Sequence, residues 1–512
     1  MNKFMKFLLI CLITLSAASC YGDLEPVSYN EINPSIFPKT EEDLKSLVLS
    51  CYYPLRGSWW DGINSTSERG QMFVNDACTE TMSGKFGAQK LCSELSFNET
   101  SSEVTYFYYT REEPYGFSNK ISRCTLIKDA IDNSALSDEK KQRYAAEVCC
   151  ARAFLSYILF DMYGPLVIAP LETLKNPLDE TPLPRLTNEA MVKFIEDDLL
   201  YAAQHLPAPR QAEYGKFSKG LANMLLIRLY LHETVHHKAY YNKVDSIARE
   251  MMTPAYGYSL MQDYPSLFEF RGQTAANTEY IFVIPCNYEG TSQNQWHMMA
   301  MPPDIDGPVK GWGTHQSTWY FFDSFEDGDT RRTYLIDSYR TVEGTLVNRN
   351  NPGQTMDLGP IPQKYEMDPA VSSNAGFTDL DIVMYRYADV ILSLAEAIVM
   401  KPGGSVTQEA VDLLNTIRNR AGLSANQKTL ADFPTKETFI DQLLLERSHE
   451  FWCENGQYRA DLIRFDKLYD RVMTLNNGVA PYASREKYLF PLPLSVIVDG
   501  KGLVHQNPGY TQ

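Results

Sequence analysis

The sequence predicts a mainly α-helical fold in which paired helices carry a large, loop-rich and partly β face. Apolar residues recur at three- and four-residue steps through several long segments, as they do in amphipathic helices. Between Tyr258 and Tyr385 this periodicity gives way to short strand-like runs and to loops rich in Gly, Pro, Asn and aromatic residues. With 44% hydrophobic residues over 512 positions, the composition is that of an ordinary folded chain. We therefore expect a helical scaffold with elaborated loops.

The first 19 residues have the features of an export signal. Lys3 and Lys6 precede a short apolar run from Phe7 to Leu15, which is too short to cross ~30 Å of hydrocarbon as a helix. Small residues then lead directly into Cys20, an arrangement that resembles a bacterial lipoprotein signal. The expected product has Cys20 as its first residue, carrying lipid such as palmitate. The alternative is an ordinary secretory signal with an incidental cysteine.

The mature chain begins with a polar, irregular stretch. Asp23 and Glu25 follow Cys20 closely, which resembles the signal that sends Bacteroidetes lipoproteins to the outer face of the outer membrane. We interpret residues 20–40 as a lipidated tether and residues 41–512 as a single domain. Loop-rich insertions are expected at about 59–105 and 258–385.

Helices are predicted from the apolar pattern and from capping residues. The predicted segments are Glu41 to Tyr53, a long helix from about Tyr144 to Met162 that ends at Gly164-Pro165, Thr187 to Leu206, a helix opened by Ser218, Tyr240 to Met252, a stripe from Tyr387 to Ile398, a helix capped by Thr407 and ended by Gly422, and Thr435 to Glu454. Helix, short turn and helix of this size are typical of tetratricopeptide-like pairs, which bury their apolar faces by stacking. The extended, proline-punctuated segment from Tyr488 to Tyr510 is not expected to be helical.

Charge excludes one class of partner. The chain has 64 acidic and 47 basic side chains, for a net charge of -17. Nucleic acids and anionic lipid surfaces are bound through clustered Lys and Arg, which this balance opposes. Neutral or cationic ligands are the expected partners.

A row of carboxylates at Glu446, Glu450 and Glu454 is the most tempting catalytic feature. Their spacing of four places them on one helix face, and a glycoside hydrolase needs two carboxylates ~5 to ~9.5 Å apart. Arg447, Arg459, Asp461 and Arg464 lie nearby in the sequence, and such mixed charges usually form salt bridges between helices. We favour the structural interpretation.

No cofactor or metal is expected. The adjacent pair His236-His237 is better explained by a solvated loop than by a metal site. The pairs Asp379/Asp381 and Asp327/Asp329 could hold Ca²⁺ by oxygen count, but neither continues as an EF-hand loop. Most of the cysteines are interpreted as buried small hydrophobic residues, and disulfides remain open.

Aromatic residues in polar loops are the most informative feature. Flat rings beside amide groups suit sugars, which present C–H faces edged by hydroxyls. The predicted ligand-binding residues are Trp59, Trp60, Tyr288, Asn294 and Trp296. For Trp296 and Trp60, core packing and ligand stacking are about equally supported. Trp312 and Trp319 stand among apolar neighbours and are expected to be core residues.

Several segments, taken in order, resemble the SusD/RagB family of outer-membrane nutrient-binding lipoproteins of Bacteroidetes. The matching segments are 153–157 with 161–167, 220–231, 258–268, 329–331, 385–390 with 395–397, 414–418, Glu446 to Glu454 with 461–465, 491–493 and 506–510. One departure is Arg459, which stands two residues before Asp461 where family members often have three.

The resemblance implies a tetratricopeptide-like helical fold with a ligand face of loops. It also implies a role without chemistry, as a capture protein on a SusC-like TonB-dependent outer-membrane transporter. Its ligand would be an oligosaccharide, with a peptide as the alternative. A glycoside hydrolase and a helical scaffold without small ligand are the rival classes. The expected location is the outer membrane, lipid-anchored and facing the cell surface.

Overall fold

The computed structural model describes residues 38, 40–59, 61–84, 87–109, 116–176, 178–179, 181–287, 289–367 and 377–511. The described residues from Leu47 onward form one compact unit. The proposed signal and Cys20 lie outside the described residues.

Helices dominate the described chain and confirm the mainly α fold class. They are α1 Glu41–Ser50, α2 Gln71–Asp76, α3 Ala88–Ser93, α4 Ser102–Thr105, α5 Ser118–Asp132, α6 Asp138–Tyr163, α7 Leu171–Lys175, α8 Asn188–His205, α9 Lys219–Glu233, α10 Tyr240–Met251, α11 Trp296–Ala300, α12 Trp319–Asp323, α13 Tyr387–Met400, α14 Gln408–Arg420, α15 Lys436–Phe451, α16 Tyr458–Arg464, α17 Leu468–Leu475 and α18 Leu494–Asp499.

Short strands lie between α10 and α13, where the sequence predicts a partly β face. They are β1 Tyr280–Ile284, β2 Leu335–Ile336, β3 Ser338–Arg340, β4 Leu346–Asn348, β5 Ile361–Pro362 and β6 Ile382–Arg386. All pairing is antiparallel, as β1 with β6, β2 with β5 and β3 with β4. β1 and β6 are buried throughout, and β1 packs against α9.

The helix starts follow from side-chain capping. Thr187, Ser218, Thr407 and Thr435 each accept a hydrogen bond from a backbone N–H in the first turn, which satisfies a donor that has no partner within the helix. The long α6 ends at Gly164, whose φ of +73° is strained for residues with a side chain. These boundaries agree with the sequence prediction.

The scaffold is built from helices that pack in sequence-adjacent pairs. α5 packs on α6, α8 on α6 and α9, α9 on α10, and α13 on α10 and α14. Each pair buries a stripe of apolar residues, such as Met191, Ile195 and Leu199 on α8. Stacked helix pairs of this kind are the predicted tetratricopeptide-like arrangement.

Some predicted loops contain short helices. Residues 59–105 include α2, α3 and α4, and α11 and α12 lie within 258–385. These helices have four to six residues, too few for an apolar period to show. The sequence analysis also left out α5, and α18 occupies part of the segment predicted to be extended.

No helix among the described residues is both long and apolar enough to cross a bilayer.

Candidate functional site: an exposed tryptophan pair

An exposed pair of tryptophans is the clearest candidate for ligand contact. The rings of Trp59 and Trp312 meet edge to face, with centroids 5.2 Å apart and planes inclined at 68°. Trp312 is 55% exposed and Trp59 is half-buried. Tryptophan is usually well buried, so an indole this exposed costs hydrophobic stabilisation that a ligand could recover. The edge contact fixes the two rings at a set angle at the surface.

Trp312 is held in place by the backbone of the segment that begins with α11. Its N–H donates to the carbonyl oxygen of Met298 at 2.7 Å, and the N–H of Gly313 donates to that of Met301 at 2.8 Å. A Cβ on Gly311 would lie 2.5 Å from the Met298 oxygen, so only glycine allows this approach. The exposed indole therefore projects from a rigid support.

The loop that carries Trp59 is fixed by one carboxylate. Asp61 accepts hydrogen bonds from the hydroxyls of Ser58 at 2.6 Å and Tyr53 at 2.8 Å, and it forms an ion pair with Arg56. Burial opposes ionisation of Asp61, but these three donors outweigh it and lower the pKa of the carboxyl. The carboxylate form thus closes the loop around Trp59.

A third loop joins this surface at Gly57. The N–H of Gln293 donates to the Gly57 carbonyl oxygen at 2.6 Å, and the Gly57 N–H donates to the Ser292 hydroxyl at 3.3 Å. Asn287 closes the same loop by donating its N–H to the Ser292 carbonyl at 2.8 Å. The chain between Asn287 and Gln293 is thereby tied to the Trp59 loop. Trp60 and Tyr288 lie outside the described residues, so their predicted role stays a prediction.

The structure does not support Trp296 as a stacking platform. Its side chain is fully buried, and the indole Nε1–H donates to the Pro362 carbonyl at 2.7 Å. Both its faces are therefore used within the core, packed near His315 and Tyr365. The prediction was wrong because the polar residues beside Trp296 face inward. Trp296 instead anchors α11, whose backbone holds Trp312.

Asn294 is also a structural residue rather than a hydroxyl partner for a sugar. It is fully buried, and its amide donates to the Leu380 carbonyl at 3.1 Å. Its carbonyl oxygen accepts from the Trp296 N–H and from the Thr66 hydroxyl. Every polar atom of this side chain is occupied, which leaves none for a ligand.

The sequence analysis missed Trp312, which it assigned to the core. The apolar run that prompted this assignment, Tyr320 to Phe322, lies within α12 and not beside Trp312, whereas Gly311 and Gly313 directly flank the indole. Flanking glycines indicate a loop, and this signal was available in the sequence. Trp319, the other residue assigned to the core, is half-buried.

The carboxylates at Glu446, Glu450 and Glu454 occupy buried structural positions, and Glu454 lies beyond the end of α15 at Phe451. Glu446, Glu450 and Glu454 are at most 2% exposed. Each is paired with arginine or lysine, through Arg331, Arg386, Arg418, Arg420 and Lys364. Burial raises the pKa of Glu450, but Arg420, Arg386 and Arg331 outweigh it and hold that pKa well below its usual range. The predicted packing salt bridges are confirmed.

The remaining sequence candidates have ordinary surroundings. His236 and His237 are exposed in the turn after α9, as predicted for a solvated loop. Asp329 pairs with Arg331, and Asp381 accepts hydrogen bonds from Tyr214 and from the Cys286 N–H. Within the part of the chain that is described, no cluster of three or more His, Cys, Asp or Glu has the arrangement of a metal site. The described cysteines are free thiols, and all but Cys286 are buried.

Comparison with known proteins assigns this architecture. Residues 340–510 match the model of the SusD family. The starch-binding protein SusD of Bacteroides thetaiotaomicron is 24% identical over 99% of this chain and 100% of its own length. A SusD-like protein, P25, of Formosa agariphila is 22% identical over 96% of both chains.

Solved structures agree with this assignment. A SusD superfamily protein from Parabacteroides distasonis superposes with a TM-score of 0.74 at 22% identity, over 92% of this chain and 99% of its own. The surface glycan-binding protein A of Bacteroides thetaiotaomicron, solved in complex with laminarihexaose, gives a TM-score of 0.71 at 19% identity, over 92% and 100%. The chain therefore shares the fold of these proteins, and its residues 340–510 match the SusD family.

Proposed function

We propose that this protein is a glycan-binding lipoprotein that captures an oligosaccharide on the Trp59–Trp312 pair. The observation that carries the proposal is the exposed, edge-to-face indole pair itself. Trp60, next to Trp59 in the sequence, and Tyr288, on the loop between Asn287 and Gln293, extend the proposed platform. Two relatives with this fold, SusD and surface glycan-binding protein A, are by name a starch-binding and a glycan-binding protein.

The chemistry of the pair suits a sugar ring. A pyranose presents apolar C–H groups on its faces and hydroxyls around its edge, so it packs flat on an indole while water solvates the edge. Because backbone hydrogen bonds and Asp61 already fix both indoles, little side-chain freedom is lost when a ligand binds. A preformed platform of this kind supports binding without chemistry.

Charge favours a neutral ligand. The net charge of -17 would repel a polyanionic glycan over distances up to about 10 Å. Neutral oligosaccharides feel no such repulsion. We therefore infer that the captured glycan is uncharged.

The proposal includes an anchored location. Export, cleavage before Cys20 and lipid attachment there would place the protein on the outer membrane, facing the cell surface. A SusC-like TonB-dependent transporter is the proposed recipient of the captured glycan. Metabolic labelling with a palmitate analogue, compared between the wild type and Cys20→Ala, tests the anchor: the proposal requires label only in the wild type.

Two alternatives differ in what they require of the molecule. A peptide receptor of the same fold would use the aromatic pair for side chains, and binding of protein digests instead of glycans would favour it. A glycoside hydrolase is opposed by the burial and ion pairing of Glu446, Glu450 and Glu454.

The direct test is a glycan array followed by isothermal titration with the glycan that binds. Truncating a central tryptophan in an interface typically costs about 2 kcal/mol or more, so Trp312→Ala should weaken binding roughly 30-fold. Tyr201→Ala removes a half-exposed aromatic ring from α8 and serves as the matched control. Equal affinity in wild type and Trp312→Ala would refute the proposed site.

A further inference from the structure

A second groove lies on the surface, with a lining that contains neither Trp59 nor Trp312. Its volume is about 680 Å³, within the range of ~300 to ~1,000 Å³ typical of ligand clefts. We call it the α17 groove, since the end of α17 forms one wall. The side chains that matter for the argument are Lys90, Glu94, Trp319, Tyr320, Asp357 and Asn477.

Two aromatic residues at the start of α12 line this groove in fixed positions. The Trp319 indole Nε1–H donates to the Met356 carbonyl at 3.2 Å, and its ring meets Phe322 edge to face. The Tyr320 hydroxyl accepts from Arg471 at 2.7 Å, and the residue is 42% exposed. Rings held in this way are already positioned before a ligand arrives.

Another part of the lining is polar and is also fixed. Asn476 donates from its amide to the Ser93 carbonyl at 2.9 Å, which ties the end of α17 to the end of α3. Asn477 follows with a left-handed φ of +52° and is exposed in the groove. An amide group therefore lines the groove together with the aromatic residues, as a hydrogen-bond partner for a hydroxyl-rich ligand.

The charge of the groove is close to balanced. Lys90 and Glu94 stand one turn apart on or next to α3, with Nζ and Oε1 3.8 Å from each other, and Asp357 adds one carboxylate. A polyanion would meet two carboxylates against a single ammonium group. A neutral ligand with apolar faces and hydroxyl edges matches the aromatic and amide walls better.

We propose that the α17 groove is a second, independent binding site for a neutral oligosaccharide. This inference rests on the proposed function only for the class of ligand. The residues that line the groove, and the hydrogen bonds that hold them, differ from those of the tryptophan pair. A glycan long enough to reach both would bind more tightly than to either site alone, through a raised effective concentration.

The test uses an array of neutral hexasaccharides as probes, covering β-1,3-, β-1,4- and α-1,4-linked glucans, mannans and xylans, with isothermal titration of those that bind. The proteins are the full-length mature wild type and the single variants Trp312→Ala, Asn477→Gly and Tyr320→Ala. Two double variants combine Trp312→Ala with Asn477→Gly or with Tyr320→Ala. Glycine tolerates the left-handed backbone at position 477, so Asn477→Gly removes the amide without straining the chain. Tyr201→Ala is again the control for loss of an aromatic ring.

Two sites predict a stoichiometry of two in the wild type and of one in each single variant. Residual binding in Trp312→Ala should fall at least tenfold further when Asn477→Gly or Tyr320→Ala is added. The second site is overturned, and the proposed function left standing, if the groove variants bind as the wild type does and Trp312→Ala binds nothing. A wild type that binds no probe overturns both. Displacement of the residual ligand by a peptide digest would show that the groove is a peptide site and overturn its assignment to sugars.

Discussion

The backbone N–H of Gln293 lies 2.6 Å from the carbonyl oxygen of Gly57, and this hydrogen bond joins two loops that carry the proposed platform. The Ser292 hydroxyl accepts from the Gly57 N–H and closes the junction from the other side. No side chain fits at this point, because a Cβ on Gly57 would lie 2.4 Å from Ile382 Cδ1 and 2.7 Å from the Gln293 oxygen. The position of the Trp59 loop therefore depends on a glycine.

Gly57→Ala should displace the two loops and weaken glycan binding about tenfold or more. Because the overlap involves one methyl group at the surface of the core, the cost in free energy of unfolding should be ~1 to ~3 kcal/mol. Titration calorimetry and thermal unfolding measure the two effects. Gly307→Ala is the control, since the nearest atom to its Cβ would be 3.8 Å away. If Gly57→Ala binds glycan as well as Gly307→Ala does, the loops do not position the platform.

Glu450→Gln should strongly destabilise the fold. The Glu450 carboxylate contacts Arg331, Arg386 and Arg420, all of which are buried. Each arginine keeps another carboxylate partner, but removing Glu450 leaves the buried network with one uncompensated positive charge, which typically costs ~3 to ~5 kcal/mol. Chemical denaturation at pH 7 measures the loss, with the exposed Glu343→Gln as control. An unfolding free energy within 1 kcal/mol of wild type would contradict the structural role of this network.

Asp76→Asn should make the protein more stable above neutral pH. Burial raises the pKa of Asp76 to about 7. One oxygen of its carboxyl group accepts a hydrogen bond from the Cys453 N–H at 2.9 Å, and the other has no hydrogen-bond partner among the described residues. The folded chain therefore keeps a proton that the unfolded chain releases near pH 4. The stability that this proton confers is complete below pH 4 and is lost as pH rises through 7.

Thermal unfolding at pH 5 and pH 8 checks this prediction. Between these two pH values the unfolding free energy of Asp76→Asn should rise relative to that of the wild type by at most about 3 kcal/mol. Asp61→Asn should show no such trend between pH 5 and pH 8, because the pKa of Asp61 is lowered below its ordinary value of 3.8 and its stabilising contribution is lost only in stronger acid. A constant difference between Asp76→Asn and the wild type from pH 5 to pH 8 would mean that Asp76 is ionised in the fold.

The scaffold could be predicted from the sequence because its signals are local. Capping residues such as Thr187 and Thr407 and a helix-ending Gly164 act within one turn of the helix that they bound. The assignment of Glu446, Glu450 and Glu454 to ion pairs was correct, but their partners were not the arginines that stand close in the sequence. Arg447 and Arg464 pair with Asp389, Asp461 and Glu396 instead, and the partners of the three glutamates come from residues 331–420.

The site could not be predicted in the same way, because exposure is set by contacts distant in sequence. Trp296 has polar neighbours but is buried, since Asn294 bonds to Thr66 and Leu380. Trp312 is exposed, since Met298 and Met301 hold its backbone at the surface. The polar residues beside Trp296 were misleading, whereas the glycines beside Trp312 indicated a loop but not how far its indole is exposed.

The central claim is that Trp59 and Trp312 bind glycan as one unit, and a double-mutant cycle tests it most directly. Calorimetry with the bound glycan should show each single alanine variant weakened roughly 30-fold. Because the rings contact each other, the double variant should lose clearly less than the product of the two single losses. Two single variants that both bind with wild-type affinity, in a protein that binds the glycan, would contradict the account.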